Sequence, residues 1–589
     1  MLTPDHLAEE HPAGAADGAD DDSHSGARAM LPVVAGLVTA LGLAWYFAGP
    51  PWYLDKTSTP ISRQEEVVLI GLQAVGKGHL PYVGVASVQY GPGTQVAPYW
   101  LMRHVTSFSV VGFREAWALL VWAGVSVLFA VFFLAFGYAR GLAVSLLSAL
   151  VYPAQHEVAF QPGGSYDGYF GWASPLRYAG VVALVLLLPA VIERCPAWRG
   201  VVAATAIGSF WGLTSYLAQE NLAGGAVGAF AVGGLSLFSG SAPWRAVRAA
   251  LAAVLAGFLV IWTPILAYYA CHGQLGEFLR QYLLFPKAVA SGANDTPWGG
   301  FTHTPSPYGH MFYVLPFLLA GLAVLAVVQV RPLRIATQWP RERALFLVTV
   351  LATALLYEGV LLRSDTSHLT GTLLMVPALV VMTATVLPRL LGAERRVAVA
   401  LAGTALIVGS FLLLPHKAFA PASVRSWAEA PFLDRQRLAA LPASAAPETL
   451  AGQRVGAGLD DVSLCCQGSP VPISMPEFVQ LMQRIHTIVG NRAAYVANFR
   501  GEYPGLVYFG ADLNPAPVSS DPYSSIETGP ELAAFLADFR TRVLPQTQAI
   551  LTDSLGTPEA RYFRQRYPNA RRITLHYAGQ VYFILLRRN

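Results

Sequence analysis

Two adjacent carboxylates, Glu65 and Glu66, follow the first long apolar run of the chain, residues 30–48. Carboxylates beside a lipid bilayer are costly unless they are hydrated or carry out chemistry. A carboxylate at that depth can accept the proton of a hydroxyl group as its oxygen attacks an electrophilic carbon. The alternative is that both are solvated charges in the first turn of a helix on the membrane surface, where acidic residues are favoured. Spacing alone does not decide between a catalytic and a purely structural role for the two glutamates. Asp55, which lies nearer the apolar run, is a third candidate for the base.

Two turn-forming segments come next, Gly78-His79-Leu80-Pro81-Tyr82 and Tyr90-Gly91-Pro92-Gly93. Their glycine, proline and aromatic residues suit a chain that folds back over the lipid surface. The apolar rhythm of residues 67–74 and 100–108 predicts helices that lie flat on that surface.

A second polar group, Arg363-Ser364-Asp365 with His368, stands at the end of a predicted span. An arginine and a histidine within one turn can bind a phosphate, and Asp365 can orient either of them. The alternative is a short polar turn between two helices. A basic residue in an outer loop opposes the usual charge distribution of membrane proteins, which favours the phosphate-binding interpretation.

Two further segments could contact a sugar. Gln219-Glu220-Asn221 is a polar turn between two apolar runs, in which Glu220 could bind a sugar hydroxyl or a cation. The alternative is a plain solvated turn. Tyr166 and Asp167, with Arg177 farther along, could line a groove, because aromatic faces and single carboxylates suit sugars. The alternative for this second segment is an ordered surface loop.

The composition is that of a polytopic membrane protein. Of 589 residues, 54% are hydrophobic and 13% are charged, whereas roughly a quarter are charged in soluble domains. Basic residues are scattered singly rather than massed on one face, which argues against nucleic-acid binding. The four cysteines lack metal-ligand spacing. No metal site is predicted, although a divalent cation is compatible with the polar residues.

Apolar runs long enough to cross a bilayer predict about eleven spans. They lie near residues 30–48, 115–137, 141–154, 176–193, 200–218, 222–239, 249–270, 311–330, 344–361, 368–387 and 397–414. Basic residues cluster in alternate connections, which the positive-inside rule assigns to the cytoplasm. These connections hold Arg28, Arg140, Arg194, Arg199, Arg245, Arg248, and the segments 331–343 and 389–396. We therefore predict a cell-membrane protein with its amino terminus inside and its carboxyl terminus outside.

Changes of composition divide the chain into three regions. Residues 1–27 have the acidic composition of a disordered cytoplasmic tail, and residues 28–415 hold the predicted spans. In residues 416–589 charged residues return and short apolar runs alternate with a helical stretch, which predicts an extracytoplasmic α/β domain. Its predicted strands are 493–498, 506–509, 549–552, 572–576 and 581–586, and its predicted helix is 529–543.

The motifs of residues 30–415, taken together, resemble the GT-C superfamily of membrane glycosyltransferases. That superfamily includes protein O-mannosyltransferases, lipid A aminoarabinose transferases and arabinosyltransferases. The resemblance rests on an acidic pair after the first span, then Gly-x-x-Pro-Tyr, Tyr-x-Pro-Gly and Arg-x-Asp-x-x-His. In the family the pair is usually Asp-Glu and its outer-loop acid is the catalytic base; here Glu65 stands at the place of that Asp. Ala218 stands where the family's Lys-Gln element has its lysine.

The resemblance implies a GT-C-like fold and an inverting hexosyl- or pentosyltransferase. The enzyme would move a sugar from a polyprenyl-phosphate lipid to a glycan, lipid or protein acceptor on the outer face of the membrane. Glu65 or Glu66 would be the base, and Arg363, Asp365 and His368 would hold the donor phosphate. The residues expected to contact acceptor or sugar are Tyr90, Tyr166, Asp167 and Glu220.

Two other functions fit the same composition. A transporter or flippase for a glycan lipid would place polar residues near the middle of the membrane and break its helices in paired positions. A non-catalytic anchor would display the outer domain as a binding module, but it would not need about eleven spans.

Overall fold

The computed structural model of the protein is mostly helical. Its described residues are 33–44, 63–83, 91–159, 175–290, 309–328, 341–362, 374–390, 475–490, 495–499, 504–516, 533, 536–537, 539–577 and 580–588. The helices of the first four hundred residues are α1 (Val33–Ala44), α2 (Arg63–Gly76), α3 (Gly93–His104), α4 (Val110–Phe136), α5 (Tyr138–Ala159), α6 (Pro175–Ile192), α7 (Trp198–Leu217), α8 (Glu220–Phe238), α9 (Trp244–Cys271), α10 (Leu275–Ala290), α11 (Gly309–Val328), α12 (Arg341–Leu362) and α13 (Val376–Leu390).

Helices occupy ten of the eleven predicted spans, and the eleventh, residues 397–414, lies outside the described residues. Within the described part of the chain, four helices are long and apolar enough to cross a membrane on their own. They are Glu115–Phe136, Trp198–Leu217, Glu220–Phe238 and Trp244–Cys271. Several apolar helices are thus confirmed, whereas the count of eleven and the orientation stay predictions.

Helices α6 to α9 form a closely packed bundle, in which consecutive helices run in opposite directions and α7 and α9 pack side by side in the same direction. A Cβ atom at Gly208 of α7 would overlap the carbonyl oxygen of Val254 in α9, and one at Gly257 of α9 would overlap that of Thr205. Small residues that let two backbones touch are typical of helix packing in membranes, where van der Waals contact replaces the hydrophobic drive. The bundle brings the start of α6, the end of α7, the start of α8 and the end of α9 to one side of the protein.

Shorter helices lie across that side. Helix α2 contains the predicted surface segment 67–74, and α10 is an amphipathic helix with Glu277 in its first turn. The predicted helix at 100–108 is correct only in part, because α3 already begins at Gly93 and ends at His104. The chain turns there so that Ser109 can cap α4, accepting a hydrogen bond from the N–H of Gly112 at 2.9 Å.

The described carboxyl-terminal residues form an α/β unit around a five-stranded sheet of order β2-β1-β3-β5-β4. Its elements are α14 (Met475–Ile485), β1 (Tyr495–Phe499), α15 (Pro504–Gly510), β2 (Asn514–Pro515), β3 (Thr547–Thr552), α16 (Pro558–Arg566), β4 (Arg571–Tyr577) and β5 (Gln580–Leu586), with a π-helical turn at Phe539–Val543 and a 3-10 turn at Leu544–Gln546. Strands β1, β2 and β3 are parallel, and β5 runs antiparallel to both β3 and β4.

Four of the five predicted strands in this region are confirmed. The strand predicted at 506–509 is wrong, because these residues belong to helix α15. In a short run made only of apolar residues, no alternation of polar and apolar residues distinguishes a helix from a strand. Pro504 at the first helical position and Gly510 at the end are the signals that favour a helix. In the predicted helix 529–543 the last five residues form the π-helical turn.

The carboxyl-terminal unit packs directly on the helical region. Lys77 after α2 pairs with Asp512 at 2.7 Å, and Gln73 donates to the same carboxylate at 3.0 Å. Phe108 stacks on Phe509 of α15 with ring centroids 5.3 Å apart. The hydrophobic core is therefore continuous from the apolar helices into one face of the sheet.

Candidate functional site

Most of the predicted site residues lie outside the described part of the chain. These are Asp55, Tyr90, Tyr166, Asp167, Arg363, Asp365 and His368. Their roles stay predictions. Glu65 and Glu66 are the third and fourth residues of α2, and a place in the first helical turn suits both a catalytic base and the structural alternative.

Helix α2 leads from these carboxylates into the Gly78–Tyr82 motif. Gly78 takes a positive φ of 90°, a conformation open to glycine at no steric cost, and Tyr82 takes a φ of 66°. Side chains of two other helices hold this segment in place by hydrogen bonds to its backbone. The N–H of Tyr82 donates to the Gln95 side chain at 3.0 Å, and the Tyr269 hydroxyl donates to the carbonyl of Pro81 at 2.6 Å.

Tyr82 is fully buried in an aromatic cluster with Trp262, Tyr269, Phe278 and Tyr282. Burial raises the pKa of the Tyr82 phenol far above its usual value, although the hydrogen bond from Gln219 opposes the shift. Tyr82 is therefore neutral at any physiological pH. The Tyr82 phenol is therefore not available as a base, and the aromatic cluster has a packing role.

The Gln219 side chain amide donates to the Tyr82 hydroxyl and so joins the Gly78–Tyr82 motif to the turn that begins α8. Its other amide atom, Oε1, is buried without a hydrogen-bond partner among the described residues. Within the same turn, Asn221 donates to the carbonyl oxygens of Arg177 and Thr214. The Trp211 indole donates to the Asn221 carbonyl at 2.6 Å. The interpretation of a plain solvated turn is therefore wrong for Gln219 and Asn221, which are 4% and 2% exposed.

Glu220 forms an ion pair with Arg177, whose Nε donates to Oε1 of the carboxylate. The Arg177 side chain is 8% exposed and that of Glu220 is 26% exposed. Both residues belong to the first turn of their helices, α6 and α8. The sequence suggested each residue separately, but it gave no indication that the two meet across 43 positions. A basic and an acidic residue at same-side ends of two apolar runs is the signal that could have suggested the pair.

The described part of the second motif, Gly91–Gly93, packs against the end of α7, close to this pair. The N–H of Gly91 donates to the carbonyl of Leu217 at 2.9 Å. A Cβ atom at Gly91 would overlap the carbonyl oxygen of Tyr216. Segment 91–93 thus meets the end of α7, and segment 78–82 meets the turn at 219–221, which follows α7 directly.

We expect Gly91→Ala to destabilise the protein, because the added methyl group meets backbone that has no room to move. The expected loss is about 1–3 kcal/mol, measured as a lower melting temperature of the purified protein in detergent. Gly276→Ala in α10 is the matched control, since nothing lies within 4 Å of a Cβ atom there. Equal melting temperatures for the two variants would contradict the packing of this motif.

A cavity of about 610 Å³ opens beside the aromatic cluster, between the helical region and the carboxyl-terminal unit. Its charged or titratable lining residues are His79, Glu277 and Arg542. His79 contributes a hydrogen bond of 2.6 Å between its Nε2 and the Asn514 side chain. Arg542 donates to the Glu277 carboxylate at 2.9 Å. Both contacts join the two regions across the cavity wall.

Glu277 also gives this contact a pH dependence. Burial alone would raise the pKa of its carboxyl, but hydrogen bonds from Arg280, Arg542 and Gln281 outweigh burial and lower the pKa to about 2. A carboxyl with a lowered pKa stabilises the folded protein above its unfolded pKa, and this contribution is lost as the pH falls through the folded value.

We therefore expect the contact between α10 and residues 541–546 to loosen as the pH falls from 4.5 towards 2. Hydrogen exchange of the 541–546 amides, corrected for the intrinsic rate at each pH, measures the opening. Glu277→Gln should open the contact at neutral pH and flatten its pH dependence. An unchanged pH profile in that variant would show that another group governs the contact.

Among the described residues, no group of three or more His, Cys, Asp and Glu side chains could hold a metal ion. A requirement for a divalent cation therefore stays untested.

Comparison with known proteins gives little guidance. No family model matches the chain, and no curated protein matches it. Two solved structures of ArnT from Cupriavidus metallidurans are similar to it. The structure bound to undecaprenyl phosphate has a TM-score of 0.35 and 12% identity, and the match covers 94% of this chain and 97% of that one. The apo structure has a TM-score of 0.35 and 13% identity over 96% and 98% of the two chains. A TM-score this low does not establish a shared fold.

Proposed function

We propose that this protein is an inverting membrane glycosyltransferase of GT-C type. It takes a sugar from a polyprenyl-phosphate donor and transfers it to a glycan, lipid or protein acceptor on the outer face of the membrane. The observation that carries the proposal is that segments 78–82 and 91–93 meet the turn 219–221 and the end of α7. Segment 78–82 follows directly on α2, the helix whose first turn contains Glu65 and Glu66.

In this proposal Glu65 or Glu66 takes the proton from the acceptor hydroxyl as its oxygen attacks the anomeric carbon. The bond from that carbon to the lipid phosphate breaks, and the phosphate leaves as an anion. Its negative charge needs cationic stabilisation more than it needs a proton. Arg363 and His368 supply that stabilisation, and Asp365 orients them.

Glu220 contributes a carboxylate whose position is fixed by Arg177. The ion pair uses Oε1, and the carboxylate is exposed enough to accept a further hydrogen bond from a sugar hydroxyl. Tyr90, Tyr166 and Asp167 complete the contacts with acceptor or sugar. A buried arginine is costly unless it is paired, and ionisable residues inside membrane proteins commonly mark functional sites.

The placement of this cluster favours a transferase over a flippase. A flippase is expected to bind its lipid at polar groups near mid-membrane. Here the polar side chains of the cluster, including Gln219, Glu220 and Asn221, lie at the ends of α6, α7 and α8.

The experiment that tests the function uses membranes containing the protein and a radiolabelled polyprenyl-phosphate sugar. A transferase moves the label from the lipid to an acceptor that no longer extracts with the donor. A flippase moves the labelled lipid between leaflets and leaves the sugar attached. Label that changes leaflet but is never transferred would overturn the proposal.

A further inference from the structure

The end of the chain is strongly basic. Residues 539–588 contain nine arginines and two carboxylates, Asp553 and Glu559. Counting both carboxylates as charged, nine arginines against two carboxylates still leave an excess of seven positive charges in this segment. Among the described residues, Arg542 is the one arginine of this segment that forms an ion pair with a carboxylate. The others leave a positive field on the carboxyl-terminal unit.

Five of these arginines share one side of the sheet, which we call the arginine face: Arg540, Arg561, Arg566, Arg572 and Arg587. Helix α16 buries Ala560 and Phe563 and leaves Arg561 exposed. Arg572 of β4 is paired in register with Leu585 of β5, and Leu585 packs in the same core cluster as Phe563. Arg572 therefore lies on the sheet face that α16 covers.

Two tyrosine rings contact three of the five guanidinium groups of the arginine face. Arg540 lies over the ring of Tyr562 at 5.2 Å, and Arg587 lies over the ring of Tyr567 at 4.8 Å. Arg566 lies over the same Tyr567 ring at 5.9 Å. An aromatic ring orders a guanidinium without neutralising it, so the groups stay available for an anionic partner.

The arginine face is continuous with the cavity. The Tyr567 hydroxyl donates to the carbonyls of Leu544 and Pro545 at 3.3 Å, and Pro545 lines the cavity. Arg540 shares the π-helical turn Phe539–Val543 with Arg542, which also lines the cavity. A basic surface therefore leads to the cavity between the two regions of the protein.

We propose that the arginine face binds an anionic glycan, one that bears carboxylate or phosphate groups, with one end of the glycan in the cavity. The guanidinium fork matches both groups in two-point hydrogen bonding. An extended polymer can follow the surface and still place its end in a cavity of about 610 Å³, whereas a flat lipid surface cannot. The inference rests on the proposed function in one respect, that the glycan is the acceptor.

The test measures binding of a fluorescent galacturonan oligosaccharide to the full-length protein in nanodiscs of zwitterionic lipid. Arg561→Gln, Arg566→Gln and Arg572→Gln together should raise the Kd about tenfold, since each solvated charge contact contributes modestly. The matched control removes three arginines from the opposite ends of the helices, Arg194→Gln, Arg199→Gln and Arg248→Gln, and should leave the Kd unchanged. Arg199 lies over Trp198 at 5.6 Å, so this control also loses an arginine–aromatic contact.

Several results would overturn the inference. These are no binding to the unmodified protein, equal affinity for neutral dextran of the same length, or an unchanged Kd in the triple variant. Binding of phosphatidylglycerol vesicles through these arginines, without binding of the oligosaccharide, would assign the face to the membrane surface instead. The charge-keeping Arg→Lys triple should bind with an intermediate Kd, and its melting temperature controls for folding. Because the assay measures binding without transfer, loss of binding in the triple variant and loss of transfer in the Glu65 and Glu66 variants are separate outcomes, so failure of this inference and failure of the proposed function can be distinguished.

Discussion

Replacing Glu220 with alanine is expected to destabilise the protein by about 3–5 kcal/mol, because the variant leaves a buried charge without its counterion. The Arg177 side chain is only 8% exposed, and its Nε donates to the Glu220 carboxylate. Removing one partner of such a pair costs far more than the pair contributes as a whole. The loss should appear as a lower melting temperature of the purified protein in detergent.

Two further variants show whether burial is the cause. Glu342→Ala removes the ion-pair partner of Arg140. The Glu342 side chain is 38% exposed and that of Arg140 is 20% exposed, so this substitution should lower the free energy of unfolding by less than about 1 kcal/mol. Replacing both Arg177 and Glu220 with apolar residues of similar size should recover most of the stability lost in Glu220→Ala. If Glu220→Ala and Glu342→Ala destabilise equally, Arg177 is not held as a buried charge.

The sequence predicted the helical segments well because long apolar runs identify membrane helices with little help from tertiary contacts. Ten predicted spans coincide with helices, and the surface helix α2 was expected from its apolar rhythm. The same reasoning failed at residues 506–509. That run is apolar on every side, so only the flanking Pro504 and Gly510 distinguish helix from strand.

The partners within the site could not be predicted from the sequence in the same way. Residue type and spacing singled out Tyr82, Gln219 and Glu220, but contacts such as Gln219 with Tyr82 or Glu220 with Arg177 depend on which helix ends are neighbours. A single amino-acid sequence does not show which helix ends lie next to each other in the folded protein. The arginine face was missed for a related reason, since its members are separated by up to 47 positions in the sequence and meet only when the sheet forms.

The second large effect is expected at Glu65 and Glu66. Replacing the catalytic base with glutamine keeps the size and polarity of the side chain and removes its capacity to take a proton. The rate of transfer should therefore fall by about 10²–10⁴-fold. The other glutamate of the pair should tolerate the change with a far smaller loss. Because both stand in the first turn of α2, neither substitution is expected to remove the helix.

Controls separate loss of the base from other causes. Glu193→Gln alters an exposed carboxylate in the connection between α6 and α7 and should retain full activity. Asp55→Asn tests the rival candidate. Equal protein levels and melting temperatures across the variants show that the comparison concerns chemistry rather than folding.

The most direct measurement is the rate at which a radiolabelled sugar passes from polyprenyl phosphate to acceptor in membranes containing Glu65→Gln or Glu66→Gln. We predict that the rate falls by at least about 10²-fold in one of the two variants. The other variant and Glu193→Gln should retain most of the rate of the unmodified protein. Full activity in both variants would contradict the assignment of the base to this pair, and with it the proposed mechanism.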